Sequence, residues 1–211
     1  MCRLLYARSE TFFDVSQLLE PFAALARDSR EYQGHGWGCA SWLNGRWHIY
    51  RNITPVWDDD FAQFARTTVF IAHARSAFRD EGIAVENNMP FSDGESVFAF
   101  NGELNGVRIR ESGRIGAEKI YNYVRRFDKG DKLTALTRGT EIIARRTRYV
   151  RAMNIVLAQA EQAWLATQYN EDPDYFQMHE KTRATMRLVC SEPFPGETDW
   201  LPVPNGTVSA I

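Results

Sequence analysis

The chain has 211 residues, of which 44% are hydrophobic and 25% charged, and a formal net charge of −2 at pH 7. This composition is typical of a globular domain with a sizeable core, and the small net charge gives no support for binding to nucleic acid or to a membrane surface. We therefore predict one domain over residues 1–211, with neither nucleic acid nor a membrane as its partner.

The hydrophobic pattern predicts strands, then a pair of helices, then strands again. In chain order the predicted elements are a strand over 2–8, a helix over 13–29, a hairpin over 39–52, a helix over 58–66, strands over 67–77 and 96–104, helices over 116–127 and 132–150, a hairpin over 153–169, and strands over 175–182 and 184–194. Runs of strands on either side of a helix pair imply an α+β fold, with mainly antiparallel sheets and helices packed outside them.

A basic stretch at 138–151 has two interpretations. Its arginines are interleaved with Glu141 and with apolar residues, which favours the exposed face of an amphipathic helix. A binding patch for an anionic partner is the alternative.

The number and spacing of the cysteines and histidines argue against two kinds of site. Cys2, Cys39 and Cys190 are odd in number and far apart, and the histidines show no metal-ligand spacing. This pattern indicates neither a disulfide framework nor a zinc site. The sequence shows no secretion signal and no apolar run of membrane-spanning length. We predict a cytoplasmic protein with reduced thiols that uses neither a metal nor a cofactor.

Cys2 stands directly behind Met1. If Met1 is removed, Cys2 carries both a thiol and the free α-amino group of the chain. Reference pKa values of about 8.5 for a thiol and about 7.7 to 8.0 for a terminal amine let the amine accept the thiol proton near neutral pH. Cys2 is therefore a candidate nucleophile with its own amine as the base. The alternative is a small apolar residue at the start of a strand.

The segment Phe-Asn-Gly at 100–102 offers two hydrogen-bond donors for a developing oxyanion. Asn101 ends a hydrophobic run, and Gly102 lets the backbone approach a ligand closely. The side-chain amide of Asn101 and the N–H of Gly102 are the candidate donors. An ordinary hairpin turn is the alternative interpretation.

Two further segments carry candidate binding residues. Alternation places His73 and Arg75 on one face of a predicted strand, followed by Ser76. Arg75 can grip a substrate carboxylate in a bidentate fork, or form a structural salt bridge instead. In the glycine-rich stretch 34–38, Trp37 either walls a pocket or is buried beside a turn.

Taken in order, Cys2, GHGWG, AHARSA, NNMPF, FNGELNG and the late SEPF resemble the class II glutamine amidotransferase domain over nearly the whole chain. The likeness is greatest to the stand-alone branch that includes the γ-glutamyl amidohydrolases of ergothioneine and glutathione metabolism. The resemblance implies the four-layer αββα sandwich of N-terminal nucleophile hydrolases. It also implies that the cysteine attacks the side-chain amide of glutamine, releases ammonia and forms a γ-glutamyl thioester that water hydrolyses.

The resemblance also assigns roles to individual residues. It implies catalytic roles for Cys2, Asn101 and Gly102, with the last two as the oxyanion hole. Substrate-binding roles follow for His73, Arg75, Ser76, Trp37, Gly38 and Glu118. Among these, Arg75 matches the arginine that holds the substrate α-carboxylate.

Three positions depart from the family pattern. Gly116-Ala117-Glu118 stands where the family has Asp-Ser-Glu, whose aspartate binds the substrate α-amino group. Phe100 replaces a histidine and His35 replaces an aspartate. Because glycine supplies no carboxylate, these changes favour an altered substrate over lost catalysis, with Glu118 as a candidate replacement.

Three functions are compatible with these features. The leading hypothesis is an amidohydrolase that acts through Cys2 on a small molecule, either glutamine or a γ-glutamyl amide. The second is an ammonia-donating subunit for a separate synthetase chain, and the third is a non-catalytic binding protein on the same fold. The sequence leaves open the true substrate, a synthetase or peptidase partner chain, and assembly into a homo-oligomer.

Overall fold

In the computed structural model, which describes residues 1–211, the chain forms twelve strands and four α-helices. None of the helices has the length and apolar character of a membrane span. The elements in chain order are β1 (Arg3–Phe13), α1 (Ser16–Arg27), β2 (Trp37–Leu43), β3 (Arg46–Asn52), β4 (Thr67–Ala74), β5 (Phe91–Ser92), β6 (Val97–Val107), α2 (Gly116–Arg125), α3 (Lys132–Arg145), β7 (Thr147–Ala158), β8 (Ala163–Tyr169), α4 (Pro173–Phe176), β9 (His179–Arg183), β10 (Met186–Cys190), β11 (Leu201–Pro202) and β12 (Val208–Ala210).

The strands form two sheets in which every pairing is antiparallel. The seven strands of the first sheet have the order β11-β9-β10-β1-β4-β2-β3, and the five of the second have the order β12-β8-β7-β6-β5. β1 is a central strand, with Leu4 opposite His73 of β4. In the second sheet Asn101 of β6 lies opposite Asn154 of β7. Cys2 therefore enters the centre of one sheet, and Asn101 belongs to the other.

Alternation of apolar side chains along the strands builds three apolar layers. On β1, Leu5 and Ala7 pack in the layer shared with α1, whereas Leu4 and Tyr6 pack in the layer between the sheets. A third layer joins the second sheet to α2 and α3, with contributions from Phe98, Met153, Ile155, Ile120 and Leu136. The resulting order of helix, sheet, sheet and helices is the αββα sandwich, which confirms the predicted fold class.

Helix α1 shows how the sequence pattern produces this packing. Leu18, Leu19, Phe22 and Leu25 recur at helical spacing, and all four are buried against the first sheet. Each such side chain contributes about 1.5–3 kcal/mol when it is fully buried.

Three segments differ from the predicted elements. Instead of a helix over 58–66 the chain forms two short 3₁₀ turns, Val56–Asp58 and Phe61–Gln63, and the Asp60 side chain caps the second by accepting the Ala62 N–H. The helix predicted over 132–150 ends at Arg145, and from Thr147 the chain pairs with β6 as β7. The strand predicted from residue 175 starts only at His179, after the short helix α4.

Candidate active site

A cavity of about 560 Å³ opens beside the start of β1, and Cys2 lies in its wall. Segments that follow β4, the second half of β6 and the first turn of α2 supply most of the remaining wall. Its apolar residues include Met89, Phe100, Leu104, Val107, Ile109, Ile115 and Ile120. Charged side chains at the cavity come from Arg75, Glu81, Glu103, Arg114 and Lys119. The site is therefore an apolar cleft with charged groups of both signs at its wall.

The Cys2 thiol lies against the backbone of Ser76. The Ser76 N–H donates to Sγ at 3.4 Å, and Sγ lies 3.6 Å from the Ser76 carbonyl oxygen. Burial raises the pKa of the Cys2 thiol, but the adjacent His73, the positive chain terminus and the Ser76 N–H favour the thiolate and lower the pKa to about 7. The surroundings of Cys2 thus favour its thiolate in the chain that carries Met1.

The other two cysteines show the opposite behaviour. Cys39 and Cys190 are buried in the layer under α1, and neither forms a disulfide. Burial raises the pKa of both thiols, that of Cys190 to about 12. Cys2 is therefore the cysteine suited to act as a nucleophile.

His73 connects the two sheets rather than lining the cavity. Its ring is wholly buried, and Nε2 lies 3.1 Å from the carbonyl oxygen of Phe100 on β6. Since a carbonyl only accepts, Nε2 carries the proton of this hydrogen bond. Nδ1 has no hydrogen-bond partner. His73 thus fixes the peptide that immediately precedes Asn101.

Arg75 lies in the cavity wall and is 5% exposed. Its Nη1 donates to the Gly82 carbonyl at 2.9 Å, and the Asn87 side chain donates to the same oxygen. Burial lowers the pKa of the guanidinium, while the Cys2 thiolate opposes this shift. The arginine therefore holds the loop at Gly82 and presents a cation to the same cavity as Cys2.

Asn101 and Gly102 differ in their access to the cavity. Gly102 lines it, and a side chain at this position would collide with the Ala152 carbonyl on β7. Asn101 is wholly buried outside the cavity lining, and neither its Oδ1 nor its Nδ2 has a hydrogen-bond partner. Buried amides are normally paired, so the unpartnered Asn101 amide next to the cavity-lining Gly102 is an exception in this fold.

The glycine-rich loop packs behind the site. Trp37 is wholly buried with its Nε1 donating to Asp59 at 2.8 Å, and it contacts the aromatic rings of Tyr50, Phe61 and Phe64. Gly38 pairs with His73 across β2 and β4, where a side chain would meet the Met89 and Tyr50 carbonyls. Neither Trp37 nor Gly38 lines the cavity. Trp37 and Gly38 are connected to the site by the backbone of β4, with which β2 pairs.

Gly116 and Glu118 begin α2. Gly116 lines the cavity, and a Cβ added there meets no atom within 4 Å. Glu118 lies outside the lining, and Arg114 donates to its carboxylate at 2.6 Å. This hydrogen bond is the main cause that lowers the pKa of Glu118. Glu118 is thus an ionised carboxylate already paired with Arg114.

No sequence pattern indicated the residues that surround Met1. The Met1 ammonium pairs with Glu31, and the Met1 carbonyl accepts hydrogen bonds from Gln33 and Tyr175. These residues lie in loops and in the short helix α4, and no spacing links them to Cys2. Glu31, Gln33 and Tyr175 nevertheless contact Met1, whose carbonyl carbon is bonded to the Cys2 nitrogen.

Several solved structures share this arrangement of sheets and helices over most of the chain. The whole chain matches a glutamine aminotransferase class-II domain protein from Silicibacter pomeroyi, with a TM-score of 0.69, 17% sequence identity and 94% of that chain covered. The chain has the class II glutamine amidotransferase fold. The resemblance that the order of motifs indicated is confirmed at this level.

Two further solved structures share the fold of this chain. A predicted glutamine amidotransferase from Pseudomonas aeruginosa PA01 matches 99% of this chain and 96% of its own, with a TM-score of 0.56 and 16% identity. Glutamine phosphoribosylpyrophosphate amidotransferase from B. subtilis matches 90% of this chain but only 42% of its own, with a TM-score of 0.63 and 11% identity. No protein-family model matches the sequence, and a search of curated proteins finds no match.

Proposed function

We propose that the protein is an amidohydrolase of the class II glutamine amidotransferase type. It cleaves the side-chain amide of glutamine, or of another γ-glutamyl amide, through a thioester on Cys2. The observation that carries this proposal is the shared cavity wall: a thiol with a pKa of about 7 faces the same 560 Å³ cleft as a buried arginine and Gly102.

The first step is nucleophilic attack by Cys2. Removal of Met1 frees the α-amine, which takes the thiol proton, and the thiolate attacks the amide carbonyl carbon. The S–C bond forms, the C–N bond breaks, and the amine returns the proton to the leaving nitrogen. Ammonia or an amine departs, and the γ-glutamyl group remains on Sγ as a thioester.

Negative charge on the carbonyl oxygen needs donors that are already in place. The Gly102 N–H and the unpaired Asn101 amide supply two such donors from β6. His73 supports them because its Nε2 holds the Phe100 carbonyl, one peptide before Asn101. Removal of one oxyanion donor typically lowers kcat by about 100-fold to 1,000-fold.

The second step consumes water. With the leaving group gone, the Cys2 α-amine accepts a proton from a water molecule, which attacks the thioester carbonyl and breaks the S–C bond. The γ-carboxylate departs and Sγ takes up the proton. Arg75 supports both steps by binding the α-carboxylate of the glutamyl group, so the acyl carbon stays near Sγ.

Intact-mass spectrometry before and after incubation with 6-diazo-5-oxo-L-norleucine tests the proposal. We expect a mature protein without Met1 and one adduct that maps to Cys2. Cys39 and Cys190 are internal controls, since both are buried and their thiol pKa values are raised. Retention of Met1 on active protein, or undiminished amide hydrolysis in Cys2→Ala, would contradict the mechanism.

A further inference from the structure

Met1 occupies a built site beside the nucleophile. Its ammonium pairs with Glu31, while Gln33 Nε2 and the Tyr175 hydroxyl donate to its carbonyl oxygen, the latter at 3.2 Å. Its side chain is only 9% exposed and packs on an apolar wall formed by Ala152, Tyr175 and Phe176. We call these groups, Glu31, Gln33, Ala152, Tyr175 and Phe176, the Met1 site.

The walls of the Met1 site are held without Met1. Gln33 is wholly buried, and its Nε2 also donates to the Glu31 carbonyl oxygen at 2.9 Å, while its Oε1 has no partner. The Tyr175 ring is contacted by the guanidinium groups of Arg3 and Arg30, at 4.3 and 4.5 Å from its centre. The site should therefore keep its shape when Met1 is removed.

Removal of Met1 takes away the ammonium that pairs with Glu31 and moves the chain terminus to Cys2. Arg151 contacts four carboxylates, those of Glu31, Glu103, Glu171 and Asp172. Arg30 adds a second guanidinium, 3.0 Å from Asp172. Burial opposes ionisation of Glu31, but the chain terminus and Arg151 outweigh it and lower its pKa. Without Met1, Glu31 loses the ammonium that pairs with it directly, and the terminal amine moves one residue along the chain to Cys2, so the emptied Met1 site favours a cation beside Glu31.

The Met1 site begins at the catalytic amine. Met1 is bonded to the Cys2 nitrogen, so the space that it leaves adjoins the amine that protonates the leaving nitrogen in the proposed mechanism. A leaving group bound there lies within one hydrogen bond of that amine, about 2.9 Å. The glutamyl half of the substrate, in the proposed mechanism, binds in the cavity that Arg75 lines. The two sites therefore meet at Cys2 from opposite ends of the scissile amide.

Resting on the proposed function, we propose that the processed enzyme binds the leaving amine of its substrate in the Met1 site, and that this amine carries a second, positively charged nitrogen. The substrate class is thus a γ-glutamyl amide of a diamine-like compound. Glu31 binds the distant ammonium, and the apolar wall packs against the connecting carbons. On cleavage, the Cys2 amine passes its proton to the scissile nitrogen, and the diamine leaves with its distant charge unchanged.

A matched pair of substrates tests this inference on the processed protein. The γ-glutamyl amide of 1,3-diaminopropane is compared with γ-glutamyl n-butylamide, in which a methyl group replaces the ammonium. We expect kcat/KM to be about tenfold higher for the diamine amide, as for a charge-assisted hydrogen bond. Glu31→Gln should bring the ratio close to one. Glu171→Gln, a control on the same Arg151 network that does not touch Met1, should keep the ratio.

Each other outcome overturns a stated part of the proposal. Equal kcat/KM values for the two amides would leave the proposed function intact and overturn the inference. A ratio that persists in Glu31→Gln would overturn the role of Glu31. Equal slowing of both substrates by Glu31→Gln would assign Glu31 to the Cys2 amine instead. No hydrolysis of either amide or of glutamine, with no adduct on Cys2, would overturn the proposed function and the inference with it.

Discussion

At the scale of single residues, Cys2 makes a prediction about pH. Its thiol pKa of about 7, which the Met1 ammonium helps to lower, means that the reactivity of Cys2 in the chain that carries Met1 should rise through neutral pH and level off above about pH 8. Below the pKa the thiolate fraction falls about tenfold per pH unit. The rate of alkylation of Cys2 by iodoacetamide, followed by peptide mass spectrometry, measures this profile. A midpoint at or above about 8.5, the reference value of an unperturbed thiol, would contradict it.

Gly116 makes a second prediction at the residue scale. Because a Cβ at this position meets open space in the cavity, Gly116→Asp should add a carboxylate without displacing a neighbour. An acidic residue also suits the first turn of a helix. If the absent carboxylate limits recognition of the substrate α-ammonium, Gly116→Asp should lower KM for glutamine by about tenfold.

Gly116→Asn is the matched control, since it has the same size and shape but no charge. Steady-state kinetics with glutamine compare the two variants and the parent protein. An equal effect of Asp and Asn on KM would show that space rather than charge is responsible. The carboxylate would then have no part in binding the ammonium.

At the scale of elements, the contact between β4 and β6 joins the nucleophile to the oxyanion donors. β4 pairs with β1, which places Leu4 opposite His73, and His73 reaches across the sheets to the Phe100 carbonyl. The glycine-rich loop braces the end of β4: the His35 N–H donates to the Arg75 carbonyl, the Arg75 N–H donates to the Gly36 carbonyl, and the Ala77 N–H donates to His35 Nδ1 at 2.9 Å. The relative position of Cys2 and Gly102 thus depends on β4.

His73→Ala should weaken this contact between the sheets. It leaves the buried Phe100 carbonyl unpaired, which costs about 1–3 kcal/mol of unfolding free energy, and it should lower kcat. His73→Gln retains a side-chain N–H donor and should recover part of both losses. Urea unfolding and steady-state kinetics on the two variants measure the effect. Equal losses in the two variants would show that volume, and not the hydrogen bond to Phe100, is what His73 contributes.

At the scale of the whole molecule, the layers were predictable because they depend on local periodicity. Leu4 and Tyr6 alternate with Leu5 and Ala7, so the two faces of β1 can be read directly from the sequence. The Met1 site was not predictable. Its polar groups lie 30, 32 and 174 residues away from Met1, and none belongs to a recognisable spacing. Gly102 and Gly116 line the cavity, at positions that the order of the motifs assigns to the substrate site. For Trp37 the sequence left a pocket wall and a buried position open, and only the packing of the first sheet shows that it is buried.

The burial of Met1 predicts when it must be removed. In the folded chain its ammonium is paired and its side chain is covered, so an aminopeptidase needs a local opening before it can bind. The charged hydrogen bond contributes about 1.5–3 kcal/mol, and burial of the side chain contributes a similar amount. Cleavage by methionine aminopeptidase should therefore be at least about a hundredfold slower on folded protein than on a peptide of the first residues.

Mass spectrometry of a time course, with the peptide as the reference, measures the ratio of the two cleavage rates. Similar rates on the two would mean that the Met1 site does not hold the terminus in solution. Slow cleavage that Glu31→Gln accelerates would show that the carboxylate holds the ammonium, and that Met1 is removed faster before the chain folds than after it.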